Sequence, residues 1–68
     1  MKLKFSSRLY AKRAVLDAMR RYDRFARFKI TETPRAFHVE ISRVREGLED
    51  KLPGEFSNYV LVSTREAA

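Results

Sequence analysis

The sequence predicts a two-layer α+β fold of the order β-α-β-β-α, an antiparallel sheet with both helices on one face. Short stretches alternate between polar and apolar residues, as half-buried strands do: "KLKF", "ARFKIT" and "AFHVEIS". Between the first two, apolar residues recur every three or four positions, and a second such stripe lies near the end. The 68 residues predict one domain, 1–68, with one small core.

The first helix is predicted after "KLKF", whose apolar residues face the core and whose lysines face water. Ser6 and Ser7 offer caps for a helix that runs to about Phe25. The residues of its buried stripe are Ala11, Ala14, Val15, Ala18, Met19, Tyr22 and Phe25. Leu16 falls outside this stripe, so we expect it to be exposed or at an interface.

The stretch "RRYDRFARF" leads from this helix into the second strand. Its first two aromatic residues continue the buried stripe of the helix, and its arginines continue the solvated face. From Phe28 onward every second residue is apolar, as in a strand. Pro34 then indicates a turn, since it fixes its own φ and favours extended structure before it. In "AFHVEIS" the apolar residues point inward, while His38 and Glu40 point outward. These patterns predict a hairpin with one buried face.

The last segment has two interpretations. "REGLEDKLPGEF" is a polar connection in which a helical turn would be broken by Pro53 and Gly54. The residues that then form a helical stripe are Phe56, Tyr59, Val60 and Ser63. However, "YVLVST" is rich in β-branched residues and also suits a strand. The strand version gives β-α-β-β-α-β, provided that residues 45–52 form the second helix.

The positive charge is unevenly placed along the chain. The formal net charge is +6, yet residues 1–45 hold thirteen basic and four acidic side chains, and residues 46–68 hold two and five. This asymmetry suits an acidic partner at one end, or self-association such as a homodimer. The alternative is a solvated surface with an ordinary basic bias.

Several classes of function are disfavoured by what the chain lacks. Without cysteine there is no disulfide framework and no thiolate metal site. No apolar run suits a signal peptide or a membrane span, so we expect a cytoplasmic protein without a membrane partner. One histidine, His38, without ligands at metal-binding spacing is not a site, and no serine has a recognisable base. We therefore expect no catalytic residue, no metal and no cofactor.

Nucleic acid is a possible partner through charge alone. The basic positions on the helix and on the outer sheet face are Lys12, Arg13, Arg20, Arg21, Arg24, Lys2, Lys4, Arg27 and Lys29. They suit non-specific contacts to phosphates. Sheets that read RNA expose aromatics for base stacking, whereas Phe5, Phe28 and Phe37 are predicted to point inward.

The edges of a small sheet suggest a protein or peptide partner. A peptide or a second copy is expected to pair along residues 36–42 if that strand is peripheral, with His38 and Glu40 beside the contact. If the strand is central, the expectation moves to another edge. The candidate partner-binding residues are His38, Glu40, Arg20, Arg21 and Arg24.

Two motifs resemble the HxsD family, small proteins of His-Xaa-Ser peptide-modification systems. "YAKRAVLDAMRRYDRF" resembles its opening motif, and "EFSNYVL" resembles its "EFxNxxL". The matching residues are Tyr10, Val15, Ala18, Tyr22, Arg24, Glu55, Phe56, Asn58 and Leu61. Val62 departs from the family, which usually has an acidic residue at this position.

The resemblance implies a helix over residues 55–64 and an accessory role beside radical-SAM maturases that modify peptides. The chain itself has no cysteine to hold an iron–sulfur cluster. The leading hypothesis is therefore a non-catalytic protein- or peptide-binding accessory protein. The alternatives are non-specific nucleic-acid binding and a purely structural, self-associating module.

Overall fold

The computed structural model describes residues 1–67 and confirms the α+β fold in the predicted order. Its elements are β1 (Lys2–Ser6), α1 (Lys12–Arg21), β2 (Arg27–Glu32), β3 (Ala36–Ser42) and α2 (Leu52–Ala67). The ambiguous tail is helical, as the apolar stripe and the HxsD resemblance predicted. The final residue, 68, lies outside the described part of the chain.

The sheet has the strand order β1-β3-β2, with β3 antiparallel to both neighbours. The strands β1 and β2 are therefore parallel to each other, on either side of β3. The predicted hairpin is confirmed, and its turn is closed where the Thr33 amide donates to the Ala36 carbonyl at 2.9 Å. Because β3 is central, residues 36–42 offer no free edge. The expected strand-pairing contact consequently moves away from His38 and Glu40 to β1 or β2.

The core lies between one face of this sheet and the two helices. Its buried residues are Phe5, Ala14, Val15, Ala18, Ala26, Phe37, Val39, Ile41, Leu52, Phe56 and Val60. Phe56 occupies the centre, because its ring stacks on Phe28 at 5.0 Å and lies 6.1 Å from that of Phe5. The inward orientation predicted for the strand phenylalanines is thus confirmed. The polar strand residues occupy the opposite face.

The helix α1 begins later than predicted and ends about one turn earlier, and Ser6 and Ser7 do not cap it. Its N-cap is Ala11, in extended conformation and without a side-chain cap. Ser6 instead closes a separate turn, where its carbonyl accepts from the Tyr10 amide at 2.9 Å. This turn places the Tyr10 ring edge-on to Phe5, with centroids 5.2 Å apart. Packing of Tyr10 therefore decides where the helix starts.

The helix α2 also begins at an unexpected place, because Pro53 and Gly54 lie inside its first turn instead of breaking it. The Leu52 amide donates to the Leu48 carbonyl at 2.9 Å, so a preceding turn leads directly into the helix. Proline is well suited to the first turn of a helix, since the amide it lacks would have no helical acceptor there.

The two helices lie side by side and run in opposite directions. The Ala11 amide, at the start of α1, donates to Thr64 Oγ1, near the end of α2, at 3.2 Å. At the other end of α1, Tyr22 packs edge-on against Tyr59 with ring centroids 5.9 Å apart. Leu16 points away from this contact and is 37% exposed, in agreement with its place outside the stripe. Neither helix in residues 1–67 is long and apolar enough to cross a bilayer.

The two glycines are expected to respond oppositely to alanine. A Cβ at either position would meet nothing within 4 Å, but Gly47 has φ +90° whereas Gly54 lies in helical backbone. Gly54→Ala should stabilise the protein by about 0.4–1 kcal/mol, because it restricts the unfolded chain. Gly47→Ala should destabilise it by about 1–3 kcal/mol, because its backbone would be strained. Urea denaturation of both variants checks this, and a stabilised Gly47→Ala would contradict the backbone assignment.

Candidate partner-binding site

The end of α1 carries the arginines that the sequence marked as candidates. Arg20 and Arg21 form its last turn, and Arg24 follows in the turn toward β2. The three line one open depression of about 450 Å³, together with Asp23 and, from α2, Glu55. Because its charged groups all lie at the surface, this depression is suited to ionic contacts.

Three further arginines reach the same end of the molecule from the hairpin. A neighbouring depression of about 390 Å³ is lined by Arg24 together with Arg27, Arg43 and Arg45. The hairpin register places Arg27 opposite Ser42, so the chain that leaves β3 passes close to the start of β2. We call the following residues the arginine cluster: Arg20, Arg21, Arg24, Arg27, Arg43 and Arg45.

A backbone hydrogen bond connects the segment after β3 to the turn after α1. The Arg45 amide donates to the Phe25 carbonyl at 2.7 Å. Arg43, two residues earlier, has φ 51°, a left-handed conformation that few residues other than glycine adopt. This change of chain direction holds Arg43 and Arg45 beside the arginines at the end of α1. The strained backbone of Arg43 therefore lies at the basic surface.

The arginine cluster is electrostatically unbalanced. In residues 1–67 the only ion pair joins Lys12 to Glu32, at 2.8 Å, and it lies elsewhere. All six guanidinium groups belong to exposed residues. Asp23 is the only acidic residue that lines both depressions, and Glu55 lines one of them. Guanidinium groups present planar sets of donors that match carboxylates and phosphates, so this surface is suited to binding anions.

A purely structural role explains part of the cluster. Basic residues in the last turn of a helix interact favourably with its partial negative charge, and Arg20 and Arg21 occupy that turn. The effect fades within one turn and is modest at exposed positions. It does not explain Arg27, Arg43 and Arg45, which reach this end from other segments.

His38 and Glu40 lie on a different surface, the polar face of the central strand. His38 is half-buried opposite Lys4 and Thr31, and Glu40 is exposed between Lys2 and Lys29. The structure therefore does not unite them with Arg20, Arg21 and Arg24. Its described residues contain no group of three histidine or acidic side chains placed to hold a metal ion.

The sequence interpretation missed Arg43 and Arg45 as members of the site. They follow the second strand of a predicted hairpin, and the start of the first strand must lie near the end of the second. The proximity of "SRVR" to "FARF" was therefore present in the hairpin pattern. The hairpin pattern did not indicate that the chain returns to Phe25, because that return depends on a hydrogen bond between residues far apart in sequence.

Comparison with known proteins adds no family to these observations. No protein-family model, no curated protein and no solved structure matches this chain. The likeness to the HxsD family rests on its sequence motifs and stays a prediction.

Proposed function

We propose that this chain is a small accessory protein, without a reaction of its own, that binds an acidic segment of a protein or peptide partner. The observation that carries the proposal is the convergence of six exposed arginines from three segments without ion-pair partners in residues 1–67. The HxsD-like motifs support the same role, since that family accompanies enzymes that modify peptides. In that setting the partner is a peptide substrate or its maturase.

The surroundings of the cluster favour carboxylates on a peptide over the phosphates of a nucleic acid. Glu55 lines the depression beside Arg20 and Arg21, and three more acidic residues lie in the preceding segment 46–50. A nucleic-acid backbone carries a charge at every nucleotide and would meet this repulsion. A peptide can place its acidic residues on the arginines and neutral ones beside Glu55.

Non-specific nucleic-acid binding is the second candidate, and one observation favours it. Arg27 belongs to the cluster and also to the polar face of the sheet, where Lys29 lies two residues further along β2. The basic surface therefore extends from the arginine cluster onto the sheet. Such binding would weaken steeply with salt and depend little on sequence.

The test measures binding of a fluorescein-labelled peptide in which glutamate alternates with serine. Arg24→Glu combined with Arg43→Glu should weaken binding by about tenfold or more, because each exposed ion pair contributes up to about 1 kcal/mol and reversal replaces attraction by repulsion. Fluorescence anisotropy at physiological salt reports the affinity. Circular dichroism confirms that the fold is kept.

The matched control, Lys4→Glu with Arg13→Glu, changes the net charge equally outside the cluster. It should have a much smaller effect, since screening limits distant charges to roughly 8 Å at physiological salt. Equal losses in both variants would mean that net charge, not the cluster, governs binding. Tighter binding of a single-stranded oligonucleotide than of the peptide would favour the second candidate.

A further inference from the structure

A small apolar pocket lies beside the arginine cluster. It has a volume of about 180 Å³ and is lined by Tyr22, Phe25, Leu48, Lys51, Leu52 and Glu55. Leu52 is buried, whereas the two aromatic rings and Leu48 are half-buried. The charged ends of Lys51 and Glu55 are exposed at the rim. The pocket is thus apolar inside and wet at its mouth.

The walls of the pocket are held in place by backbone and ring contacts. The rings of Tyr22 and Phe25 lie 6.3 Å apart, and Tyr22 also packs against Phe56 at 6.2 Å. On the other side, the Leu48 amide donates to the Arg45 carbonyl at 3.0 Å. The turn that positions Leu48 therefore begins at a member of the arginine cluster.

The pocket and the depressions that the arginine cluster forms share lining residues, so one ligand can occupy both. Tyr22, Phe25 and Glu55 line the pocket and also the depression formed by Arg20, Arg21 and Arg24. Phe25 lines the second arginine depression as well. The rings of Tyr22 and Phe25, which we call the aromatic wall, therefore border both the apolar pocket and the basic depression.

We propose that this pocket binds one aromatic or leucine side chain of the partner's acidic segment, while neighbouring carboxylates contact the arginine cluster. This inference rests on the proposed function and adds a sequence requirement to it. The size fits, because a protein cavity of about 150 Å³ holds a benzene molecule, whereas pockets for whole small ligands are about 300 Å³ or larger. The charge fits too, because arginines flank the aromatic wall.

A peptide suits this arrangement better than a nucleotide. A flipped-out base would enter the pocket with its phosphate held within a few bonds of it, near Glu55 at the rim. A peptide separates the anchor from its carboxylates by at least one residue and can direct them away from Glu55. Apolar anchors with charged neighbours are typical of peptide-binding surfaces, where a buried anchor contributes most of the affinity.

The experiment compares two labelled peptides of alternating glutamate and serine that carry either phenylalanine or alanine at one central position. The phenylalanine peptide should bind about tenfold tighter, as expected from burying one large apolar side chain. The ratio of the two affinities should stay constant as salt is raised, while both affinities fall, because only the arginine contacts are ionic. This comparison uses the unmodified protein and does not depend on a variant that folds.

A variant then locates the anchor. Leu48→Gln should bring the affinity ratio of the two peptides close to one. The control Leu9→Gln makes the same change at a leucine that is 71% exposed and outside the pocket, and it should leave the ratio unchanged. If Leu48→Gln does not fold, perturbation of the Tyr22 and Phe25 ring resonances by the phenylalanine peptide alone gives the location.

The outcomes separate this inference from the proposed function. Equal binding of both peptides, still dependent on Arg24 and Arg43, would overturn the anchor and leave the acidic partner intact. A phenylalanine preference that Leu48→Gln does not alter would also overturn it, since the side chain would bind elsewhere. Binding of an oligonucleotide but of neither peptide would overturn both proposals.

Discussion

Val39→Asp is expected to leave the protein unfolded at room temperature. Val39 is fully buried on the central strand, and its neighbours across β1 and β2 are Leu3 and Ile30. A carboxyl group at this position would have no polar partner, and burial of an unpaired charge is among the most destabilising changes known. We expect the loss to equal or exceed the total stability of the domain, which is roughly 3–10 kcal/mol for a chain of this length.

The neighbouring residue provides the control for this prediction. His38→Asp places the same side chain one position earlier, on the polar face between Lys4 and Thr31. Successive strand residues point to opposite faces, so this variant should remain folded with nearly the same thermal midpoint. Far-UV circular dichroism during heating measures both. A cooperative transition in Val39→Asp near that of the unmodified protein would contradict the register of the sheet.

Phe56→Ala should cost about 3–5 kcal/mol of unfolding free energy. The ring of Phe56 is completely buried and lies against three rings: Phe5 of β1, Phe28 of β2, and Tyr22, the residue that follows α1. Its loss leaves a cavity where the sheet meets both helices, and that cavity cannot close without moving them.

Urea denaturation followed by circular dichroism suits this measurement, since the protein has no tryptophan. Val62→Ala on the same helix is the matched control, because Val62 is 43% exposed and should change the stability by less than about 0.5 kcal/mol. Similar losses in the two variants would place Phe56 outside the core. A shallower denaturation slope in Phe56→Ala would indicate a loosened native state.

The candidate site shows which functional features local patterns can indicate. Arg20, Arg21 and Arg24 were identifiable because helical periodicity separates them from the buried stripe that includes Tyr22. His38 and Glu40 were correctly assigned to the outer face of their strand by alternation. The edge contact expected beside them required a peripheral strand, and β3 is central. Alternation could not decide this, because it indicates which face a residue occupies and not which neighbours its strand has.

Periodicity by itself determined the types and order of the first four elements and which residues of each strand enter the core. Those properties depend on residues within a few positions of each other, where the backbone repeat sets the direction of each side chain. Periodicity left the last element open between helix and strand, and the HxsD resemblance favoured the helix. Three helix boundaries were wrong, because they depend on contacts beyond the local repeat. The helix α1 ends at Arg21 instead of about Phe25, since the chain turns there toward β2. Tyr10 packs on Phe5 and delays α1, while the turn at Leu48 lets α2 begin before Pro53.

Only the tertiary structure decided the position of β3 between β1 and β2, the union of six arginines at one end and the pocket beside them. Each of these three features joins segments that are distant in sequence. Each depends on which arrangement of the strands and helices buries the most apolar surface at the least cost in chain entropy. The hydrogen bond from the Arg45 amide to the Phe25 carbonyl illustrates this. It spans the hairpin, positions Arg43 and Arg45 beside the other arginines of the cluster, and has no local sequence signal.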